Sequence, residues 1–368
     1  MRIVVFGLSI SSSWGNGHAT LWRGLIQALA RRGCSVIFFE RDLPYYAAHR
    51  DSLDPPGCSL IIYSDWADVR SIARRELADA DVAIVTSYCP DGIEATALVL
   101  DAPRCLHVFY DLDTPITLSR VNEGYKLTYI DERGLADFDL VLSYTGGEAL
   151  AALRTQLGAR TVAPLYGHVD PGAHSPVDGM AEFTGDLSYL GTYAEDRQPA
   201  LLELLLGSAI RSPAKRFVMG GAQYPDDFPW ASNVHFVRHL PPSLHSAFYC
   251  SSPLTLNITR RPMAQLGWCP SARLFEAAAC GTAVITDQWE GLSDFYEPGK
   301  EIVVVNTSDD VLAALSMDDK DVHRIAARAR DRTLAEHTSQ HRADEFIALI
   351  EQMPHKSQVM GELAAQEV

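Results

Sequence analysis

The sequence predicts an α/β protein of two doubly wound, Rossmann-like parallel-sheet domains, and three observations predict it. Apolar strand-like runs alternate with helix-patterned stretches along the chain, the signature of a parallel sheet covered by helices on both faces. The alternation breaks at residues 166–178, a stretch rich in Pro, Gly and His, and then begins again. A length of 368 residues, 47% of them hydrophobic, supplies two ordinary cores at roughly 150 residues per domain.

The opening MRIVVFGLSI carries one positive charge and a short β-branched run. It is too short to span a membrane and lacks the small-residue cleavage site of a signal peptide, so it reads as a first buried strand at residues 3–8. A helix over 19–32 follows, with Leu21, Leu25, Ala28 and Leu29 at helical spacing and Gly33 as its stop. Further strands are expected at 35–40, 59–63, 82–86, 105–110 and 140–143, with helices between them. After the break, strands are expected at 187–190, 216–219, 234–236, 254–257, 283–286 and 302–305. A last helical pattern runs from 319 to 352 with a break near 336–341. These boundaries give an N-terminal domain at 1–170, a C-terminal domain at 180–335, a helix at 336–352 expected to pack back on the first domain, and a polar tail at 353–368.

Acidic residues number 47 against 31 basic ones, a formal charge of −16 that repels polyanions. That balance argues against general nucleic-acid or anionic-membrane binding. The seven cysteines (Cys34, Cys58, Cys89, Cys105, Cys250, Cys269, Cys280) are scattered and never form a Cys-x-x-Cys pair, so neither a zinc site nor a disulfide framework is written here. The expected location is a reducing cytoplasm.

Two such domains facing each other would form a cleft at the carboxyl ends of both sheets, where doubly wound folds bind nucleotides and phosphorylated ligands. The first loop there is LSISSSWGNG, ending in Trp14, Gly15, Asn16 and Gly17, with His18 at the opening of the helix. Its glycines let backbone approach a ligand, and free amides at the helix start favour an oxygen-rich one. A rival reading is a dinucleotide-dependent oxidoreductase, because Glu40 ends the second strand where a ribose hydroxyl would be held. The glycine pattern fails it: the run Gly15 to Thr20 lacks the third glycine, and the loop is longer than a pyrophosphate-cradling turn.

The stretch from Gly17 to Val36, GHATLWRGLIQALARRGCSV, resembles the opening of glycosyltransferases of the GT-B fold. The segments FFERDLPYY (38–46), YDLDTP (110–115), PLYGHVDP (164–171), NITR (257–260), 271–281 and 287–291 resemble the CgeB-like, or spore-maturation-protein-like, glycosyltransferases. The likeness covers residues 2–345 and is most specific at 257–299. It implies a GT-B nucleotide-sugar transferase with an N-terminal acceptor domain, a C-terminal donor domain and an undefined acceptor. Alternatives are a GT-B-fold nucleotide-sugar epimerase or hydrolase, and a non-catalytic sugar-binding protein.

Transfer from a nucleoside-diphosphate sugar must stabilise an oxocarbenium-like centre, neutralise a leaving diphosphate and deprotonate an acceptor hydroxyl. The resemblance implies that Glu276, a lone carboxylate in an otherwise apolar helix, takes the ribose hydroxyls; the plain alternative is a solvated helix glutamate. The wider GT-B pattern has a second Glu eight positions earlier, where this chain has Trp268, which leaves inverting or retaining stereochemistry open. Asp287 and the amides up to Gly291 are candidates for the sugar hydroxyls. For the diphosphate the candidates are Arg260, Arg261 and Arg273, together with Arg197 just beyond the Gly191 loop, since a planar guanidinium holds two phosphate oxygens at once. His18 is the candidate base, oriented by Asp111 or Asp113. Asp111-Leu112-Asp113 also spells the manganese signature of the other main glycosyltransferase fold. That motif belongs to a single-domain sheet, so no obligatory metal or cofactor is expected, with Mg²⁺ at most a phosphate counterion.

Overall fold

The structure, a computed structural model, describes residues 1–354. Residues 355–368, most of the expected polar tail, lie outside the described residues. The chain divides into two compact units, Met1–Tyr166 together with the segment from Ser339 onward, and Gly167–Thr338.

The first unit holds seven strands: β1 (Arg2–Gly7), β2 (Ser35–Arg41), β3 (Cys58–Tyr63), β4 (Val82–Thr86), β5 (Leu106–Asp111), β6 (Leu140–Ser143) and β7 (Val162–Pro164). They pair in parallel in the order β3-β2-β1-β4-β5-β6-β7. Helices cover both faces of such a sheet, so β4 and β5 are buried at every residue and read as continuous apolar runs rather than alternating ones. The helix Gly17–Arg31 buries Trp22, Leu25, Ile26, Ala28 and Leu29 on one face. Helix Ser339–Glu351 packs against it, and Arg32 Nε donates to Asp344 Oδ1 at 2.7 Å. The guanidinium of Arg342, 3% exposed, donates to the Tyr166 carbonyl at 3.2 Å and pairs with Glu345 at 2.7 Å.

The second unit repeats the plan with six parallel strands: β8 (Leu187–Leu190), β9 (Phe217–Gly221), β10 (Val234–Arg238), β11 (Leu254–Asn257), β12 (Ala283–Thr286) and β13 (Val303–Val304). Their order is β10-β9-β8-β11-β12-β13, with a core that includes Tyr189, Phe217, Met219, Leu256 and Ile285. In each sheet the winding reverses once, between β1 and β4 and between β8 and β11, and loops at such a reversal splay apart to leave a crevice beyond the strand ends.

Most strand and helix limits differ from expectation by a residue or two, and one difference is larger. The three-residue β7 was not expected, because it is short and ends in a proline that periodicity reads as loop. The last strand shrinks to Val303–Val304 at the sheet edge. Residues 198–211 form one helical run with a π-helical stretch at Leu202–Gly207. The helical pattern at the C-terminus is two helices, Asp319–Glu336 and Ser339–Glu351. Among the described residues no helix is long and apolar enough to cross a membrane.

Candidate functional site

Chemistry-bearing side chains gather at the carboxyl ends of both sheets, at the two reversal points. In the first unit the loop after β1 is organised by Glu40, which holds backbone and hydroxyl groups of the loop rather than standing free for a ribose hydroxyl. Glu40 is fully buried and accepts from Ser9 Oγ (2.9 Å), Ile10 N (2.7 Å), Ser11 N (2.9 Å) and Ser11 Oγ (2.5 Å). Both carboxylate oxygens are therefore engaged in holding the loop. Gly15 turns the chain with φ +57, where a side chain is strained, and Trp14 stacks on His49 with ring centres 3.8 Å apart. Asn16 caps the helix: its Oδ1 accepts from His18 N at 3.1 Å while its Nδ2 donates to the Ser9 and Ser12 carbonyls. The helix begins at Gly17, where a Cβ would meet nothing within 4 Å.

This cap delivers His18 to the end of β5. His18 Nε2 donates to Asp113 Oδ2 at 2.8 Å, and Ser87 Oγ, just past β4, donates to the same oxygen at 3.0 Å. With Nε2 carrying the proton, Nδ1 holds the lone pair; it is buried without a hydrogen-bond partner. Asp111 lies behind the pair, fully buried, its Oδ1 accepting from Asp113 N (3.0 Å) and Thr117 Oγ1 (3.1 Å) and its Oδ2 without a partner. Burial, then the Asp113 carboxylate, pushes the Asp111 carboxyl up to about 7. The two aspartates are thus unlike: Asp113 faces the imidazole, and Asp111 supports Asp113 from below. Tyr88, beside Ser87, holds a left-handed φ of 58 and sits edge-on to His18 at 6.3 Å.

In the second unit the ends of β8 and β11 carry the cations. Arg273 Nη1 donates to Asn257 Oδ1 at 2.9 Å, and its guanidinium lies 5.3 Å from the Tyr189 ring centre. Arg197 Nη1 donates to the Thr192 carbonyl at 3.1 Å and to Tyr189 Oη at 3.3 Å. Both guanidinium groups converge on Gly191, where a Cβ would stand 2.9 Å from Arg273 Nη2 and 3.1 Å from Arg197 Nη1. Each retains a buried Nε without a partner. Arg260 is instead tied through Nε to both oxygens of Asp196, at 3.3 and 3.2 Å, and Arg261 is exposed at the start of its helix.

Glu276 is 9% exposed and accepts from Tyr249 Oη at 3.2 Å. It follows Arg273 by three positions on the helix Ala272–Ala279, so carboxylate and guanidinium share a face. Burial works to raise the Glu276 carboxyl, but His174, His245, Arg273 and the Tyr249 hydroxyl outweigh it and hold it below the ordinary glutamate value. Burial depresses the His245 imidazole to about 4. No metal-ligand spacing marks His174 and His245 in the sequence, and only the tertiary structure sets them beside Glu276. Asp287 spends its Oδ1 inside the fold, accepting from Thr259 N (2.9 Å), Thr259 Oγ1 (3.0 Å) and Thr286 Oγ1 (3.3 Å). Trp268, which replaces the earlier glutamate of the wider pattern, covers Gly291 so closely that a Cβ there would come within 2.5 Å of the indole ring. Its Nε1 donates to Asp294 at 2.6 Å.

Residues 197–348 match the model of a glycosyl transferase-like family. No curated protein matches the sequence significantly. Among solved structures, sucrose-phosphate synthase from Thermosynechococcus elongatus is similar at 14% identity and a TM-score of 0.69, covering 96% of this chain and 98% of that one. An alpha-glucosyltransferase in complex with UDP gives 13% identity and a TM-score of 0.67 over 96% and 100% of the two chains. The Anabaena protein HepE, in complex with UDP and glucose, gives 11% and 0.64 over 96% and 100%. The fold is that of GT-B glycosyltransferases.

Proposed function

We propose that the protein is a glycosyltransferase of GT-B fold that moves a sugar from a nucleoside-diphosphate sugar, with UDP the favoured nucleotide, to an acceptor hydroxyl. One observation carries this reading: Arg197 and Arg273 converge on a glycine at the reversal of the second sheet, and Glu276 stands on the same helix face as Arg273. A diphosphate needs fixed cations and room for its oxygens, and a ribose needs a hydroxyl acceptor one helical turn away. All three side chains fall in the segment that matches the glycosyl transferase-like family. The UDP carried by HepE and by the alpha-glucosyltransferase has this chemistry.

In this reading Arg197 and Arg273 neutralise the leaving diphosphate, with Arg260 and Arg261 supporting roles at its edge and Asp287 with the amides near Gly291 on the sugar side. His18, oriented through Nε2 by Asp113, takes the acceptor proton at Nδ1. Asp111 acts through Asp113 rather than on substrate. We expect no obligatory metal: Asp113 Oδ2 is engaged by His18 Nε2 and Ser87 Oγ, and Asp111 is fully buried behind it with its Oδ1 bonded to Asp113 N and Thr117 Oγ1. Transfer is accordingly expected to persist in EDTA, and full loss rescued by Mn²⁺ overturns that part. The segments quoted for the CgeB-like resemblance make that subfamily the preferred placement, and a cytoplasmic enzyme fits it.

The decisive experiment is a thermal-shift panel of nucleoside diphosphates and their sugars, followed by release of free nucleoside diphosphate with candidate acceptors. A ligand that binds only the folded state at 100 times its Kd adds about 2.7 kcal/mol of stability, readily seen as a shifted transition. No shift with any nucleoside diphosphate overturns the proposal. Donor binding without nucleotide release under any acceptor favours a binding protein instead.

A further inference from the structure

We propose that His174, His245 and Glu276 form a site for a zinc-class divalent cation in the second unit. One ligand atom from each of the three side chains lies within 4.8 Å of the other two. His174 and Glu276 are 6% and 9% exposed, and two ring nitrogens at the cluster, His174 Nε2 and His245 Nδ1, are buried with no hydrogen-bond partner. Buried polar nitrogens are rarely left unpaired, and a pair of them beside a carboxylate points to a ligand that supplies the missing partner.

The orientation of His245 fits that ligand. Its Nε2 lies 3.4 Å from the Leu240 carbonyl, which fixes the proton on Nε2 and leaves the Nδ1 lone pair turned to the cluster. A backbone carbonyl behind the ring is the usual outer support of a metal-bound histidine. The three ligands are also held together without the cation. Ser246 Oγ donates to the Ala173 carbonyl at 3.0 Å and so ties the His174 turn to the helix that carries His245. Tyr249, from the same helix, reaches Glu276 at 3.2 Å.

Two imidazole nitrogens and one carboxylate oxygen suit Zn²⁺, Co²⁺ or Ni²⁺ rather than the all-oxygen cations Mg²⁺ and Ca²⁺. Metal–ligand bonds of roughly 2.0–2.2 Å in a tetrahedron place ligand atoms about 3.4 Å apart, so atoms now within 4.8 Å of one another draw together by up to about 1.4 Å on binding. The fourth position is left to water. A second consequence rests on the donor reading of Glu276: cation and nucleotide ribose draw on one carboxylate, and the cation opposes donor binding.

The test starts from the full chain stripped of metal and titrated with Co²⁺. The expected result is one cobalt per chain with the visible d–d bands of a tetrahedral site and no thiolate-to-cobalt charge transfer, displaced by Zn²⁺. His174→Ala and His245→Ala are each expected to weaken Zn²⁺ binding by at least about 100-fold in competition with a chromophoric chelator. Ser246→Ala, which keeps all three ligands and removes only the tether, is expected to weaken it by about 10-fold. Circular dichroism checks that each variant is folded. Equal Zn²⁺ affinity in wild type and in folded His245→Ala or His174→Ala overturns the site, as does charge transfer that assigns the cobalt to cysteine. Calorimetric titration with UDP at saturating Zn²⁺ is expected to show at least about 10-fold weaker binding. Unchanged UDP affinity with the cobalt spectrum intact overturns the antagonism, and failure of UDP to bind without any cation overturns the donor reading alone.

Discussion

Replacing Asp111 by asparagine tests the inequality of the two aspartates. The carboxyl of Asp111 is pushed up to about 7 from the ordinary 3.8 by burial and by Asp113. A group whose folded pKa is raised contributes stability that is full below the unfolded pKa and is lost as pH rises through the folded one. Between pH about 4 and 7 the unfolded chain is ionised at this position while the folded chain holds the proton, so the wild type loses about 1.4 kcal/mol per pH unit. Over the whole interval this group alone removes about 4 kcal/mol, an upper figure for a fully buried carboxyl. Asparagine does not titrate and keeps the oxygen that accepts from Asp113 N and Thr117 Oγ1. Its amide replaces an oxygen that already lacks a partner, a cost of about 1–3 kcal/mol that is the same at every pH. Denaturant unfolding of both proteins at half-unit steps from pH 4 to 8 is expected to show the variant gaining on wild type by about 4 kcal/mol across the window. A difference that stays flat within about 1 kcal/mol would falsify the placement of the proton on Asp111.

Glu276→Ala is expected to weaken UDP binding by about 1.5–3 kcal/mol, the worth of a hydrogen bond to a charged group, with unchanged calorimetric affinity excluding the residue from the donor site. His18→Ala should lower turnover by roughly 10²–10⁴-fold while leaving donor affinity nearly unchanged, since the donor candidates belong to the second unit. Near wild-type turnover at saturating acceptor ends the base assignment. Gly191→Ala places a methyl 2.9 Å from Arg273 Nη2 and 2.8 Å from Tyr189 Oη, so the guanidinium must shift. The expected outcome is a folded protein with UDP binding weakened by about 10-fold or more, read by the same calorimetry, and undiminished affinity removes Gly191 from the cradle.

Much of this fold was legible because its determinants are local. Strands buried on both faces must be continuous apolar runs, and a helix on such a sheet must carry one apolar stripe, so Val82–Thr86 and Gly17–Arg31 stand out from residue order alone. Short elements such as Val162–Pro164 escaped because three residues hold no period. The strand orders, with their single reversals, come from pairing between distant segments that no local pattern records.

The site divides along the same line. Residue types and loop positions single out His18, both aspartates, Glu276 and the arginines. The sequence also predicts an unusual carboxylate at 276, since a charge within LFEAAAC has no solvated face to occupy. Tertiary structure alone selects Asp113 over Asp111 for the imidazole, assigns Glu40 to the first loop, ties Arg260 to Asp196 while turning Arg197 and Arg273 to Gly191, and sets His174 and His245 beside Glu276. His18 and Asp113 are 95 positions apart, and their contact exists because β1, β4 and β5 lie side by side and bring their carboxyl ends to one edge. Periodicity is set by how each segment meets its own layer; convergence is set by which strands become neighbours, and only long-range pairing decides that.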